Sequence, residues 1–320
     1  MFDALVSAPI AVSSAVLAGG AFAYASYRTR KTLPTARTPM LGLSAAFIFA
    51  AQMLNFPVAG GSSGHLLGAA LAAILLGPSA AIIAMSAVVI LQCFLFADGG
   101  ISALGANIFN MAVVGVVVAY CVYRGVTALF GDRSLPVAAG LAGWLSVMAA
   151  SAVCAGQISL SGHASPRLVI GGMLGIHALI GVGEGIITAM VVSALAKARP
   201  ELLRQEVVGG SSLVPVLVFG LLFSLGLAMF VSPFVCTWPD GLESVAARVG
   251  IDPANIKPVW QGLMPDYHFG GFSSEAVSTG LAGALGTIAV FIVAWLGVRL
   301  MIASRVRPEP VRETSSSDER

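Results

Sequence analysis

The sequence predicts an all-α integral membrane protein of about nine transmembrane helices, on three observations. Hydrophobic residues make up 57% of the 320 positions, and mean hydropathy is +0.91. Charged residues are only 10%, against roughly 25% in an ordinary globular domain. The apolar residues also fall in blocks of about 20 separated by short polar or basic stretches, the length a helix needs to cross a ~30 Å hydrocarbon core. A soluble fold is excluded. The net charge of +2 does not imply a nucleic-acid partner, because the basic residues are spread over separate loops. The first apolar run does not read as a convincing signal peptide, since its positive charges follow it rather than precede it. Cys93, Cys121, Cys154 and Cys236 contain no close pair, which argues against a disulfide framework or a thiolate metal site.

The expected spans are 4–26, 42–58, 65–77, 79–97, 101–123, 136–158, 168–194, 211–231 and 279–301. The third is short, running from Gly64-His65 to a break at Gly77-Pro78, and reads as tilted or partly re-entrant. Arg28, Arg30, Lys31 and Arg37 follow the first span, Arg124 and Arg133 the fifth, and Lys197, Arg199 and Arg204 the seventh. Arg299, Arg305, Arg307, Arg312 and Arg320 accompany the last. With nine crossings these share one side, leaving Arg167, Arg248 and Lys257 on the other. The basic side is expected to be cytoplasmic, with the N-terminus outside and the C-terminus inside. Residues 199–212 read as a linker between seven spans and a final pair, 213–304, that encloses an outer loop over 232–278. The tail over 305–320 is polar and reads as disordered.

The chain contains no Gly-x4-Gly-Lys-Ser/Thr, so no P-loop nucleotide site is expected. His-Glu-x-x-His and the Gly-x-Ser-x-Gly elbow are also missing, and Asp98 is the only acid between Asp3 and Asp132. An enzyme is therefore not expected. Polar residues at membrane depth are the stronger signal, because each costs a few kcal/mol unless paired or functional. Gln52 and Asn55 end the second span. His65 and Ser63 lie in Gly60-Gly-Ser-Ser-Gly-His-Leu-Leu-Gly68, where small residues permit close backbone approach. Asp98 lies in Phe94-Leu-Phe-Ala-Asp-Gly-Gly100, and Asn107 and Asn110 in Leu104-Gly-Ala-Asn-Ile-Phe-Asn-Met111. His177 and Glu184 are two turns apart on one helix face. Interhelical hydrogen bonding, worth about 0.6 kcal/mol on average, competes with a functional role for each of these. His177 and Glu184 could satisfy each other. In the first span Ala11, Ala15, Gly19 and Ala23 form a ladder of small residues, suited equally to packing within the chain or to docking a partner subunit.

At these motifs the chain resembles the CbiM/NikM family, the substrate-binding S components of energy-coupling-factor importers for nickel and cobalt. The likeness also includes Ala45-Ala-Phe-Ile-Phe-Ala-Ala-Gln-Met-Leu-Asn-Phe-Pro57 and the stretch from His177 through Glu184 to Thr188. Pro239-Asp-Gly-Leu-Glu243, followed by one more span, resembles the PDGLE domain of the small N component, here fused to residues 1–198. The resemblance implies capture of Ni²⁺ or Co²⁺ as the transported substrate at the outer face of the inner membrane. Import would be driven by cytoplasmic ATPase subunits on a membrane-embedded T (scaffold) component. It implies further that His65 and an N-terminal Met-His pair hold the metal. An amine, a deprotonated amide and two imidazoles make a square-planar nitrogen set suited to Ni²⁺, and one that must lose protons to bind.

This chain departs from that pattern, beginning Met1-Phe2-Asp3-Ala4-Leu5 without a second-position histidine. Similar members begin Met-His-Met, then one residue, then Asp-Ala-Leu. The expectation is a start two codons upstream, with Met1 internal; the alternative is a degenerate or differently loaded site. If Met1 is the native start, its amine is a ligand. His163 and His268, in outward segments, are possible substitutes. Gln52, Asn55, Ser63, Asp98, Asn107, His177 and Glu184 are expected to support the metal or line its path. The fused pair and the Ser-Ser-Gly-His-Leu-Leu-Gly loop favour nickel over cobalt. A self-sufficient secondary transporter of divalent metal ions is the competing function.

Overall fold

The computed structural model describes residues 1–203, 210–251 and 255–304. Arg204, much of the expected linker and the expected disordered tail from 305 lie outside them. The chain is an all-α membrane protein. Among the described residues, seven helices are long and apolar enough to cross a bilayer. They are α1 (Ala8–Thr32), α4 (Pro78–Phe96), α5 (Leu104–Phe130), α6 (Leu135–Leu160), α7 (Pro166–Ala198), α8 (Leu213–Phe234) and α10 (Glu275–Ala303). Two more, α2 (Thr38–Gln52) and α3 (Ala69–Leu76), are shorter, and α9 (Gly241–Arg248) lies between α8 and α10.

The sequence places punctuation where the helices begin and end. Proline stands in the first turn of α1, α2, α4, α6 and α7, where its missing N–H has no intrahelical partner to lose. Gly77, at φ 75°, separates α3 from Pro78 and reverses the chain. Inside α5, residues Ile108–Val114 form a π-helical stretch, a distortion that often marks functional sites.

Two expected spans need correction. The span over 42–58 ends as a helix at Gln52; beyond it β1 (Phe56–Val58) and β2 (Ser62–Gly64) pair antiparallel. The span over 65–77 is helical only from Ala69 to Leu76. Its eight residues cover roughly 12 Å, less than half a hydrocarbon core. The preceding loop makes up the difference by entering the bundle. Leu67 and Gly68 bond to Glu184, which lies roughly 27 Å along α7 from its start. The third segment is thus a short helix preceded by a loop that packs inside the bundle.

Helices meet closely where side chains are small. A Cβ on Gly185 of α7 would lie 2.8 Å from the carbonyl oxygen of Gly140 in α6, so only glycine permits this spacing. Trp144 Nε1 donates across the same contact to the Ala178 carbonyl at 3.0 Å. On α10, a Cβ at Gly283 would meet the Ala228 carbonyl at 3.0 Å, and one at Gly286 would run into the Phe49 ring of α2. The C-terminal pair is thereby packed against the core. Met1, the 53–68 loop, residues 97–103 and residues 235–251 and 255–274 gather at one end. Bonds from Ser7 to Ser161, Ser63 to Trp238 and Tyr267 to Asp98 tie that end together.

Candidate functional site

A cavity of about 680 Å³ opens at this end of the bundle. Its wall comes from both parts of the chain: His65, Asn55, Asp98 and His177 from the first, and Asp240, Glu243, Asp266, His268 and Glu275 from the second. Five carboxylates line it, and among the described residues none of the lining groups is Lys or Arg. Such a concave acidic surface raises the local concentration of cations.

Local structure explains how each group arrives there. The hairpin turns at Gly60 and Gly61, both at positive φ, and its second strand delivers His65 to the cavity. His65 Nδ1 lies 3.0 Å from the Leu66 carbonyl oxygen, which leaves Nε2 as the ring's other nitrogen. The hairpin is held down by the C-terminal segment. Ser63 donates its N–H to the Pro239 carbonyl at 2.8 Å and its Oγ–H to that of Trp238 at 2.7 Å. The helix α9 begins with a capping box in which Asp240 and Glu243 satisfy each other's backbone N–H, and it lies on α7 beside His177, Gly241 abutting that ring. Burial, and then the charge of Asp240, push the Glu243 carboxyl above its ordinary range.

The N-terminal segment is fixed as firmly. The Met1 amine donates to Asn107 Oδ1 at 2.7 Å, while Asn107 Nδ2 and the Gly100 N–H donate to the Met1 carbonyl. Asp3, which sequence reading passed over as a site residue, is 4% exposed. It accepts from the Ser102 N–H and Oγ–H and from the Val259 N–H. Burial alone would raise its pKa, but these hydrogen bonds outweigh that and lower it.

The expected residues divide by place. His65, Met1, Gln52, Asn55, Asp98, Asn107, Asn110 and His177 line the cavity, and so does His268. Ser63 and Glu184 stand behind the wall as backbone anchors. His163 is exposed outside it. His177 and Glu184 do not pair: His177 Nδ1 donates to the Met173 carbonyl, and Glu184 takes the Leu67 and Gly68 amides. Sequence reading missed Gln92, Asp240, Glu243, Asp266, Tyr267 and Glu275. The PDGLE motif itself contains two of them, and Gln92 is an isolated polar residue in an apolar run, the same signal that singled out Gln52. Among the described residues no three of His, Cys, Asp and Glu stand close enough to form a metal cage.

Comparison with known proteins settles the family. The family model described as "Cobalt uptake substrate-specific transmembrane region", CbiM, matches residues 1–202. The chain belongs to the CbiM family. A PDGLE domain follows over residues 214–303, so the helical pair that walls the CbiM cavity is that domain. Among relatives, a putative fused nickel transport protein NikMN of Archaeoglobus fulgidus is 40% identical over 278 residues, covering 86% of this chain and 90% of that one. A probable fused nickel transport protein LarMN of Lactiplantibacillus plantarum is 30% identical, over 82% of this chain and 84% of its own. A crystal structure of a truncated transition metal transporter superposes with TM-score 0.57 at 28% identity, over 62% of this chain and 98% of the other.

Proposed function

We propose that this chain is the metal-capturing membrane subunit of an ATP-driven energy-coupling-factor importer, with Ni²⁺ the substrate and Co²⁺ the closest competitor. The observation that carries the reading is the acidic, one-ended cavity with His65 on its wall. Carboxylates draw a divalent ion in; imidazole and amine nitrogens then favour Ni²⁺ or Co²⁺ over Mg²⁺ and Ca²⁺, which prefer oxygen. With no three-residue cage among the described residues, the donor set draws on His65 Nε2 and on amine or backbone nitrogen near Met1. The fused nickel transport proteins among its relatives favour nickel.

Nine of the described cations, Arg28, Arg30, Lys31, Arg37, Arg124, Arg133, Lys197, Arg199 and Arg299, lie toward the end away from the cavity, against Arg167, Arg248 and Lys257 toward the cavity's own end. By the positive-inside rule the more basic end is cytoplasmic and the cavity faces outward. In the small-residue ladder of α1, Ala15, Gly19 and Ala23 are exposed and Ala11 is half-buried; Gly19 would meet nothing within 4 Å if given a Cβ. Ala15 touches Gly105, and the rest of that face remains open for the scaffold component. Residues 1–198 form the binding unit and 213–304 its fused partner. Uptake of ⁶³Ni²⁺ into vesicles tests the assembly: this chain alone is expected to import poorly, and the complete complex rapidly. Equal rates would identify a self-sufficient transporter instead.

A further inference from the structure

Glu184 is fully buried near the middle of α7, and the groups that its two oxygens accept from are backbone amides. Such a carboxylate at membrane depth is expensive unless its oxygens are satisfied. Here both oxygens are spent on one short piece of backbone. Glu184 Oε2 accepts the Leu67 N–H at 2.6 Å, and Oε1 the Gly68 N–H at 2.9 Å. These amides lie just ahead of α3, where the helix dipole also favours negative charge. The other side of the same peptide is gripped as well, since Gln52 Nε2 donates to the Leu67 carbonyl at 2.8 Å. Gln52 is held in turn by Gln92, whose Nε2 donates to Gln52 Oε1 at 2.8 Å and to Tyr267 Oη at 3.4 Å. Tyr267 donates to Asp98 Oδ2 at 2.6 Å. Burial and the Asp98 charge push the Tyr267 phenol well above its ordinary range, so it stays a donor.

The gripped peptide begins two residues after His65, and Leu67 itself lines the cavity. We infer that Glu184 and Gln52 are positioning residues that set where His65 presents its nitrogen, and that Tyr267 carries this hydrogen-bonded chain into the PDGLE domain. The arrangement follows from the loop's own weakness. A stretch with two glycines at positive φ and a third at Gly68 has little conformational preference, so side chains from α2 and α7 must fix it. The inference rests on His65 being a metal ligand, and the test separates the two.

The decisive experiment titrates Ni²⁺ and Zn²⁺ into the purified full chain and into Glu184→Gln, Gln52→Leu, Tyr267→Phe and His65→Ala. Each protein is first shown to be monodisperse. Glu184→Gln turns an acceptor into an N–H facing an N–H, and Gln52→Leu removes the opposite grip. Both are expected to weaken Ni²⁺ binding at least tenfold and to lower the Ni²⁺ over Zn²⁺ preference by a similar factor. Tyr267→Phe should do the same about threefold. A purely structural role would lower thermal stability without changing selectivity among folded molecules. Thr188→Ala, one turn along α7 at a buried hydroxyl without a partner, is the control and should change neither. If His65→Ala loses nickel while the Glu184 and Gln52 variants keep affinity and selectivity within twofold, the positioning role is overturned and the ligand assignment stands. If His65→Ala itself keeps nickel, both are overturned. Should Glu184→Gln fail to fold, Gln52→Leu decides by the same two readouts.

Discussion

At the scale of single residues, the site depends on polar groups that anchor backbone as much as on those that face the cavity. Asp3 shows this most simply, joining the N-terminal segment to Ser102 and to Val259 of the PDGLE domain. Replacing it with Asn should cost about 1–3 kcal/mol, the range for losing charge-assisted bonds at a buried group. Its folded pKa is depressed, so its contribution is fully present above the unfolded carboxylate value. That contribution is lost as pH falls through the lower folded value. Melting curves in detergent should therefore show the gap between wild type and Asp3→Asn closing in acid; a gap constant down to the lowest pH would contradict the assignment. The sequence made His65, Asn107 and Asp98 legible because each interrupts an apolar or glycine-rich stretch. Asp3 was not legible, since an acid two residues after Met1 reads as solvated. Neither was the true partner of Glu184, because helical periodicity places it on a face with His177 but cannot foresee a loop entering from α2.

At the scale of elements, the long helices were readable from hydropathy and their ends from Pro and Gly. The exceptions are α2 and α3. Leu54, Phe56 and Val58 continue the apolar pattern of α2, and hydropathy does not register that the backbone has already turned into a hairpin. That hairpin is held through Ser63 by the Trp238 and Pro239 carbonyls, and the loop after it is held through Leu67 and Gly68 by Gln52 and Glu184. The packing of α10 on α2 is the other element-level result. Any side chain at Gly286 would strike the Phe49 ring, and relief requires the helices to part. Gly286→Leu should destabilise the protein by about 1–3 kcal/mol through overpacking. It should also loosen the PDGLE domain, read as faster hydrogen exchange in the 255–274 segment. Unchanged exchange would mean that α10 is held mainly by other contacts.

At the scale of the whole molecule, the CbiM portion supplies two of the three lining imidazoles, His65 and His177, and the PDGLE domain supplies His268 and most of the carboxylates around one cavity. Of the five lining acids, Asp98 alone comes from the first part; Asp240, Glu243, Asp266 and Glu275 come from the second. Sequence could separate the two parts but not foresee this division, because residues distant in the chain build the wall together. The electrostatic consequence is that capture should slow as salt screens the field, within a Debye length of about 8 Å at physiological ionic strength. Asp240→Asn should weaken that salt dependence, measured by stopped-flow association of Ni²⁺. The same salt slope in both proteins would remove Asp240 from the attracting field.

The capture role of the cavity is tested most directly by calorimetric titration of Ni²⁺ into the purified chain and its His65→Ala variant across pH. One ion per chain is expected, bound more weakly as pH falls because nitrogen ligands must lose protons, and high-affinity binding should disappear in the variant. Stoichiometric nickel binding of unchanged affinity in His65→Ala would contradict capture at this site.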